Sequence, residues 1–419
     1  MPNSQPKTIW YCHHYAGSPT LGMSYRPYYL TREFCQQGHN AYVVNAAYHH
    51  LLLNPKKQKE KVVKQTIDDV PFISLKTRPY QGNGLSRILN MLDYARVIKK
   101  QQKKIIALTG KPDVIIVSSA HPFHFPILKK LAKKYNAKLI FEVRDLWPLS
   151  LQLLLHTSAL HPLIIYLAYL EKQAYQQADS VVSVLQNSMS YMQSRGLSQD
   201  KFRYIPNGIW LDELKKSENL PNLHWKAIEN LHSKLFKLGY AGALGEPNAM
   251  NYLIDAMHLL QEKKVLVHLF IVGDGHLKEK LIQQSERLGL NNITFLPRIS
   301  KRAIPTFLNQ MDALYLGWQP SEIYQYGVSP NKLFDYMASG KPIIESGGDQ
   351  NGIIRTSGCG VQCEAVNPVQ ISECIEEVMS MPKSKLEEMG KIGMQAVQAY
   401  DYGNLAKQYL QNFSTDEVV

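Results

Sequence analysis

The chain has 419 residues, of which 45% are hydrophobic and 20% are charged. This length and hydrophobic content suffice for two folded domains and exclude a disordered or fibrous protein. The net charge of +12 is carried mainly by lysines in the first half, so a negatively charged partner has to be considered.

Three lysine clusters account for this charge. Ordinary solvated helix faces have the same spacing, so the clusters alone do not define a partner. No zinc-finger or RNA-recognition signature accompanies them, which favours an anionic membrane surface over nucleic acid. The clusters are Lys56, Lys57, Lys59, Lys61 and Lys64; Lys99, Lys100, Lys103 and Lys104; and Lys129, Lys130, Lys133 and Lys134.

Cysteine spacing and hydropathy indicate the compartment. The five cysteines form no Cys-x-x-Cys pair and no metal-like spacing with histidine, which favours a reducing environment. The first residues lack the features of a signal peptide. The longer apolar stretches, 151–155 and 162–170, fall short of the roughly 20 residues of a membrane span. We expect a cytoplasmic protein without a transmembrane helix.

Apolar, β-branched runs alternate with segments of helical periodicity along the whole chain. This alternation predicts an α/β fold with doubly wound, Rossmann-like parallel sheets. It pauses in a polar segment after residue 206, where we place a domain boundary. The predicted strands are Thr8–Cys12, Ala41–Val44, Val114–Val117, Leu139–Val143, Ser180–Val184, Lys237–Tyr240, Val267–Val272, Ile293–Leu296, Ala313–Leu316 and Pro342–Glu345.

A loop containing Gly17 and Gly22 follows the first predicted strand. Glycine allows the backbone to approach a ligand closely at this edge of a sheet, although a plain turn explains the glycines equally well. The spacing is not Gly-x-Gly-x-x-Gly, so dinucleotide binding is not supported.

Polar residues follow two further buried strands. His121 stands at a strand end, where a histidine side chain faces a ligand cleft more often than a core. Glu142, Arg144 and Asp145 bracket the end of the next strand. Three charged side chains at the end of a buried strand need ion-pair partners or a role in ligand binding, so they belong either to a cleft or to a structural ion-pair network.

Two glycine turns follow strands of the second half, at Gly242 and at Gly273–Gly275. Each turn separates a strand from a helix and is a weak signal alone. Together they predict a phosphate-sized crevice.

The segment Tyr326–Pro342 predicts a helix with an anion site at its start. Ser329 suits the N-cap and Gly340 ends the helix. The first-turn N–H groups carry the positive end of the helix dipole, and Lys332 adds a full charge. Asp335 lies one turn further on. A nucleotide fits this spacing, with its diphosphate at the helix tip and its ribose along the helix, although an ordinary surface helix can begin in the same way.

In this order, these segments resemble glycosyltransferase family 4, the retaining nucleotide-sugar transferases with the GT-B architecture. The resemblance runs from Ile9 to about Tyr409 and is greatest to the bacterial branch encoded with O-antigen and capsule genes. The strings that carry it are His14–Pro19, Phe141–Pro148, Ile205–Ile209 and Ser329–Met337.

The resemblance implies two Rossmann-like domains facing a central cleft. Residues 1–206 plus about 400–419 would form the acceptor-side domain, and residues 207–399 would bind the nucleotide-sugar. His121, facing the sugar, and Asp335, at the ribose, are implied as catalytic, and Arg144 and Asp145 as acceptor-side or supporting residues. The implied donor-binding residues are Gly22, Gly242, Arg298, Ser329, Asn331, Lys332 and Asp335.

One departure concerns the Glu-x7-Glu motif of the family. Gly327 stands where its first glutamate is expected, so that carboxylate is missing or is supplied elsewhere, with Glu322 as a nearby candidate. The basic pair that usually follows the first glycine turn is also absent. Lys332, with Lys301 or Arg302, is left to neutralise the diphosphate.

The resemblance implies a retaining transfer to an acceptor, which we expect to be a polyprenyl-diphosphate-linked glycan, with a UDP-sugar favoured as donor. The chain shows no Asp-x-Asp motif, because Asp68 and Asp69 are adjacent in a strand-like context. We therefore expect no metal and no cofactor. The expected location is peripheral, on the inner face of the bacterial cytoplasmic membrane. A nucleotide-sugar epimerase of the same fold and a non-catalytic binding subunit are the alternatives.

Overall fold

The computed structural model of the chain describes residues 5–55, 58–82, 84–119, 121–232, 234–349 and 351–413. The described residues form two units, one within Met1–Asn207 and Tyr402–Val419 (unit 1) and the other within Gly208–Asp401 (unit 2). Lys56 and Lys57 of the first lysine cluster lie outside the described residues.

Unit 1 is built on a sheet with the strand order β3-β4-β2-β1-β5-β6-β7-β8. The sheet is parallel except for β3, which pairs antiparallel with β4. The elements in chain order are β1 (Thr8–Cys12), α1 (Arg26–Gln36), β2 (Asn40–Ala46), β3 (Val62–Ile67), β4 (Val70–Leu75), α2 (Leu85–Thr109), β5 (Val114–Ser118), α3 (Phe125–Tyr135), β6 (Lys138–Val143), α4 (Leu149–Leu155), α5 (Pro162–Gln177), β7 (Ser180–Ser183), α6 (Met189–Ser194) and β8 (Phe202–Tyr204).

Unit 2 is built on a parallel sheet with the strand order β11-β10-β9-β12-β13-β14. Its elements are α7 (Leu211–Leu214), α8 (Asn222–Glu229), β9 (Phe236–Ala241), α9 (Met250–Glu262), β10 (Val267–Val272), α10 (Lys278–Arg287), β11 (Ile293–Leu296), α11 (Ile304–Asn309), β12 (Ala313–Gly317), α12 (Asn331–Ala338), β13 (Ile343–Ser346), α13 (Ile353–Ser357), β14 (Gly360–Cys363), α14 (Pro368–Ser380) and α15 (Lys383–Ala396). The chain then returns to unit 1, where α16 (Tyr402–Leu410) packs beside α1.

The predicted α/β fold is confirmed. Each predicted strand is present with its ends within one or two residues, because strands buried on both faces read as continuous apolar runs. One local interpretation was wrong. Asp68 and Asp69 form the tight turn between β3 and β4, with φ of 47° and 66°, which short polar side chains tolerate. The polar segment after residue 206 contributes to a core, since Leu220 and Ile228 pack into unit 2.

The two sheets share one topological feature that positions ligands. In unit 1 the strand order turns back at the neighbours β1 and β5, and in unit 2 it turns back at β9 and β12. Loops leaving adjacent strands in opposite directions open a crevice at the carboxyl ends, where open α/β sheets bind ligands.

Candidate active site

Lys332 lies in the first turn of α12, next to the β9–β12 crevice of unit 2. The helix begins at Asn331 with Pro330 in the N-cap position, and no side chain caps it. The expectation that Ser329 is the N-cap was therefore wrong by one residue, because Pro330 has an extended backbone with ψ of 136°. Ser329 and Asn331 are both half-buried beside the helix start. Helix N–H groups and a lysine lie together here, as the sequence predicted.

The ammonium group of Lys332 is held by neutral groups. Its Nζ donates to the hydroxyl of Tyr240 over 2.8 Å and to Oδ1 of Asn248. It also lies 4.4 Å from the centroid of the Tyr240 ring. Burial lowers the pKa of Lys332 to about 7. An ammonium group desolvated without a carboxylate among its described partners is stabilised by an incoming anion.

The two glycine turns of unit 2 meet beside this lysine. A Cβ atom at Gly242 would lie 3.0 Å from the Lys332 Nζ, and one at Gly273 would lie 1.9 Å from the carbonyl oxygen of Gly242. A Cβ at Gly275 would lie 2.1 Å from the carbonyl oxygen of Leu244. Glycine is therefore required for the two turns to pack together and for Lys332 to extend across them.

Asp335 forms an ion pair rather than presenting a free carboxylate. The Nζ atom of Lys301 lies 2.5 and 2.6 Å from its two oxygens, and the side chain of Asp335 is 12% exposed. Lys301 is thus engaged by Asp335, and Arg302 lies 3.9 Å from Glu218. Each of these two residues therefore already faces a carboxylate, whereas Lys332 has none among its described partners.

Arg298, one of the implied donor-binding residues, is exposed in the loop after β11. The preceding carbonyl oxygen, of Pro297, is 2.8 Å from Nε2 of His224, so this part of the backbone already has a partner.

Gly327 has a conformational reason to be glycine. Its φ of 99° lies in the region that other residues rarely adopt. A glutamate at this position would be strained in this backbone. Glu322 is exposed on the short turn Glu322–Tyr326 that precedes Gly327.

In unit 1, the glycines of the first loop serve the packing of the loop itself. Gly22 has a φ of 138°, and a Cβ there would lie 2.1 Å from the carbonyl oxygen of Leu51. A Cβ at Gly17 would lie 2.1 Å from the carbonyl oxygen of Gly22. The amide of Gly22 donates to the carbonyl oxygen of Ser18 over 2.9 Å. The structure thus accounts for both glycines without a ligand, as the plain-turn alternative held.

His121 follows β5 as predicted, but its side chain is fully buried. It packs between His14 and His124 at ring-centroid distances of 4.9 and 5.2 Å. We call these three residues the histidine cluster. The ring nitrogens of His121 have no hydrogen-bond partner among the described residues. Burial, reinforced by the neighbouring histidines, lowers the pKa of His14 and His121 well below its ordinary value, and burial lowers the pKa of His124 to about 4. In this arrangement the His121 ring faces other rings rather than an open cleft.

Glu142 belongs to a structural network. Its carboxylate lies 2.8 Å from Nε of Arg26, and both side chains are completely buried. It also accepts hydrogen bonds from the hydroxyl groups of Tyr11, Ser118 and Tyr409 at 2.7–2.9 Å. Burial raises the pKa of Glu142, but Arg26 and these hydroxyl groups outweigh it and hold the pKa below its ordinary value. The structural alternative is correct for Glu142.

Arg144 and Asp145 differ from Glu142. Nη1 of Arg144 donates to the Oγ of Ser24 over 2.7 Å and lies 3.3 Å from Nε2 of His13. Asp145 is exposed. These two residues are therefore available at the carboxyl edge of the unit 1 sheet.

Sequence reasoning missed the two partners of Lys332. Tyr240 reads as an apolar strand residue and Asn248 as a loop residue, and neither carries a local signal.

The described ranges contain no group of three or more His, Cys, Asp or Glu side chains that could hold a metal ion. Within the same ranges, no helix combines the length and apolar character of a bilayer span.

Solved structures with a similar fold identify the architecture of the chain. The whole chain resembles sucrose-phosphate synthase from Thermosynechococcus elongatus, with a TM-score of 0.74, 16% identity and coverage of 97% of this chain and 98% of the other. It also resembles Anabaena HepE, solved in complex with UDP and glucose, with a TM-score of 0.66, 16% identity and coverage of 98% and 100%. The chain has the GT-B fold.

The family comparisons are more specific. Residues 22–213 match the model described as "Glycosyltransferase Family 4", and residues 236–381 match "Glycosyl transferases group 1". Both matched descriptions are of glycosyltransferases, which supports a transferase enzyme.

Two curated relatives also carry glycosyltransferase names. The uncharacterised glycosyltransferase MJ1059 of Methanocaldococcus jannaschii is 29% identical over 261 residues, which is 59% of this chain and 59% of the relative. WcaI of Escherichia coli, named "Putative colanic acid biosynthesis glycosyl transferase", is 25% identical over 267 residues, 62% of this chain and 63% of the relative. The chain thus matches about six tenths of the length of each relative.

Proposed function

We propose that the protein is a retaining glycosyltransferase that moves a sugar from a nucleoside diphosphate to a lipid-linked glycan during surface polysaccharide synthesis. The observation that carries this proposal is Lys332, an ammonium group without a carboxylate partner among the described residues, at the start of a helix and beside two glycine turns. The UDP and glucose bound by HepE support a UDP-sugar donor. The name of WcaI supports a role in polysaccharide synthesis.

The proposed chemistry follows from this charge arrangement. The bond between the anomeric carbon and the diphosphate breaks, and negative charge develops on the leaving group. Lys332 and the first N–H groups of α12 stabilise that charge, so a metal ion is not needed for this purpose. The acceptor hydroxyl attacks from the same face and gives its proton to the leaving phosphate, which retains the anomeric configuration. Gly242, Ser329 and Asn331 form the surroundings of the diphosphate in this proposal.

Asp335 is proposed to bind the ribose hydroxyl groups. Its ion pair with Lys301 holds the carboxylate in place and still leaves lone pairs to accept from a ribose. Arg298 is proposed to lie near the base. Arg144 and Asp145 are proposed to serve the acceptor, which unit 1 would bind.

Peripheral membrane binding is proposed for one face of unit 1. Ile165, Tyr166 and Tyr169 lie on one side of α5 and are 56%, 48% and 57% exposed. Helix α3 contacts both α2 and α5, and α2 and α3 carry the exposed members of two lysine clusters. Aromatic side chains at the headgroup level combined with lysines suit an anionic bilayer.

Vesicle flotation tests the membrane proposal. The wild type should float with vesicles that contain phosphatidylglycerol and remain below with pure phosphatidylcholine vesicles. A Tyr166→Ser, Tyr169→Ser variant should lose flotation. A Leu223→Ser variant, which alters a side chain that is 59% exposed in unit 2, is the control and should behave as the wild type.

Ligand-induced stabilisation tests the donor site. A ligand that binds only the native state at a hundredfold excess over its Kd raises the free energy of unfolding by about 2.7 kcal/mol. UDP should stabilise the wild type and the control Lys280→Met, which alters an exposed lysine on α10, but not Lys332→Met. If UDP, GDP, ADP, CMP and dTDP all fail to stabilise the wild type, the donor site is refuted.

Product analysis separates the alternatives. Transfer from a UDP-sugar to a lipid-linked acceptor, unchanged by EDTA, supports the proposal. An epimerised sugar nucleotide formed without an acceptor would identify an epimerase. UDP binding without turnover would favour the binding subunit. The feature that supports this alternative is Gly327, whose φ of 99° suits glycine and which stands where the family motif has a glutamate.

A further inference from the structure

A second carboxyl group in unit 2 is buried at the carboxyl end of β13. Glu345 is 2% exposed, and its Oε1 accepts a hydrogen bond of 2.9 Å from Nε1 of Trp318. Trp318 directly follows β12, the strand that pairs with β13, and its amide donates to the carbonyl oxygen of Ser346 over 2.9 Å. Trp318 is thus held against β13 by a hydrogen bond from its indole and another from its backbone amide.

The backbone around this pair is shaped to enclose it. Gly347 and Gly348 both have a φ of 82°. A Cβ atom at Gly348 would lie 2.7 Å from Oε1 of Glu345 and 3.0 Å from Nε1 of Trp318. Only glycine adopts this conformation readily and leaves space for the pair.

Trp318 connects this pair to the loop that holds Lys332. The next amide, of Gln319, donates to the carbonyl oxygen of Pro247 over 3.1 Å. The preceding Gly317 is so close that a Cβ there would lie 2.7 Å from the carbonyl oxygen of Asn248. Asn248 is the residue whose side-chain oxygen accepts from Lys332. The segment 317–319 therefore supports a partner of the proposed donor-binding lysine.

Trp318 also contacts the turn that precedes α12. Its ring lies 5.1 Å from that of Tyr324, in the short turn Glu322–Tyr326 before Gly327 and α12. The side chain of Trp318 thus packs against the turn that leads into the helix of Lys332, while its backbone neighbours hold the loop that contains Asn248.

We propose that Glu345 is a positioning residue for donor binding, which holds Trp318 and, through it, the loop with Asn248 and the turn that leads into α12. This proposal rests on the proposed function and adds a determinant of donor affinity in the interior of the unit. Glu345 itself does not touch the donor. It sets the geometry of groups that do.

The charge state of Glu345 is part of this role. Burial raises the pKa of Glu345 to about 8, and Asp349 adds to the rise. Among the described residues, the other titratable groups that interact with it are the thiols of Cys359 and Cys363, and neither is a cation. At neutral pH the group is a carboxylic acid that tolerates burial. Above pH 8 the ionised form favours hydration, which opens the enclosure and weakens donor binding.

Substitutions that separate shape from hydrogen bonding test this proposal. Glu345→Leu and Trp318→Phe each remove the hydrogen bond, and each should weaken UDP binding about tenfold, the effect of one well-placed hydrogen bond. The double variant should bind UDP no more weakly than either single variant, because one interaction is lost in all three. Glu345→Gln keeps an acceptor for the indole N–H and should restore affinity at neutral pH.

The pH profile gives a second readout, because a role in folding alone would not alter it. Lys332 also titrates near neutrality, so the comparison is between the wild type and Glu345→Gln. The ratio of their UDP affinities should be constant below pH 7, and should favour the glutamine variant increasingly above pH 8. A constant ratio up to pH 9 would overturn the proposed role of ionisation.

The outcomes distinguish this proposal from the proposed function. If the wild type binds no nucleotide, the donor site fails and the positioning role fails with it. If the wild type binds UDP and Lys332→Met does not, but Glu345→Leu or Trp318→Phe stays within about twofold of the wild-type affinity, only the positioning role is refuted. Trp318→Phe keeps the ring, and so provides the test if Glu345→Leu does not fold.

Discussion

Replacing Lys332 by methionine should make the protein more stable while abolishing donor binding. Burial lowers the pKa of this lysine from 10.5 to about 7. At pH 7 a shift of this size corresponds to at most about 4 kcal/mol of free energy that opposes folding. Methionine keeps most of the side-chain length but gives up the hydrogen bonds to Tyr240 and Asn248, which costs about 1–3 kcal/mol. The net gain should be about 1–3 kcal/mol, or a rise in Tm of roughly 2–4 °C per kcal/mol for a domain of this size.

The pH dependence of this gain identifies its origin. Below about pH 7 the lysine is protonated in both states, so the burial penalty is complete. Between pH 7 and 10.5 the unfolded chain binds more protons than the folded one, and the penalty declines with rising pH. Denaturant unfolding of the wild type, Lys332→Met and the control Lys280→Met should therefore show a gain for Lys332→Met that is largest at pH 6–7 and falls as the pH rises. Near pH 10.5 it should become a loss of about 1–3 kcal/mol, because only the missing hydrogen bonds then count. A gain that does not change with pH, or a wild type more stable than Lys332→Met at pH 6, would refute this reasoning.

Two further predictions concern unit 1. The histidine cluster is buried in its neutral form, so below pH 6.5 the unfolded chain binds more protons, and each histidine should lower the free energy of unfolding by about 1.4 kcal/mol per pH unit. Between pH 7.5 and pH 5, the free energy of unfolding of His124→Phe, measured with denaturant, should therefore fall by about 2 kcal/mol less than that of the wild type. Equal losses in the two proteins would contradict this. Glu142→Gln should cost about 3–5 kcal/mol in the same assay, because it leaves the buried charge of Arg26 without its counterion. Asp93→Asn, at the exposed ion pair with Arg78, should cost less than about 1 kcal/mol, and similar costs for both variants would count against the buried-charge explanation.

The sequence predicted most of the buried parallel strands, but it missed β4, which is buried and parallel to β2 and has Pro71 near its start. It also missed the edge strands, for a physical reason. β10 is buried at every position and reads as an apolar run. β3 carries Lys64, Gln65 and Thr66 because it lies at the edge of its sheet and faces solvent. β8 and β14 are short edge strands with few fully buried positions. Edge position, which only the tertiary fold defines, removes the apolar pattern on which such predictions rely.

The site could be predicted only in part. Lys332, Asp335 and the glycine turns carried local signals, because helix starts and strand-end turns have characteristic residues. The contacts of Lys332 with Tyr240 and of Asp335 with Lys301 span 92 and 34 residues, and no local pattern encodes them. No local pattern encodes the burial of His121 either. The strings His13–Tyr15 and His121–His124 could have indicated a histidine cluster, but only the adjacency of β1 and β5 brings them together.

The return of the chain to unit 1 has a consequence for biosynthesis. Unit 1 contains the buried charge pair of Arg26 and Glu142, and the hydroxyl of Tyr409 in the last helix completes the coordination of that carboxylate. A ribosome makes all of unit 2 before it reaches Tyr409. During translation, the carboxylate of Glu142 in unit 1 therefore lacks the hydrogen bond from Tyr409 until all of unit 2 has been synthesised. Truncation shortly before Tyr402 would damage the domain that was synthesised first, and would leave intact the one synthesised last.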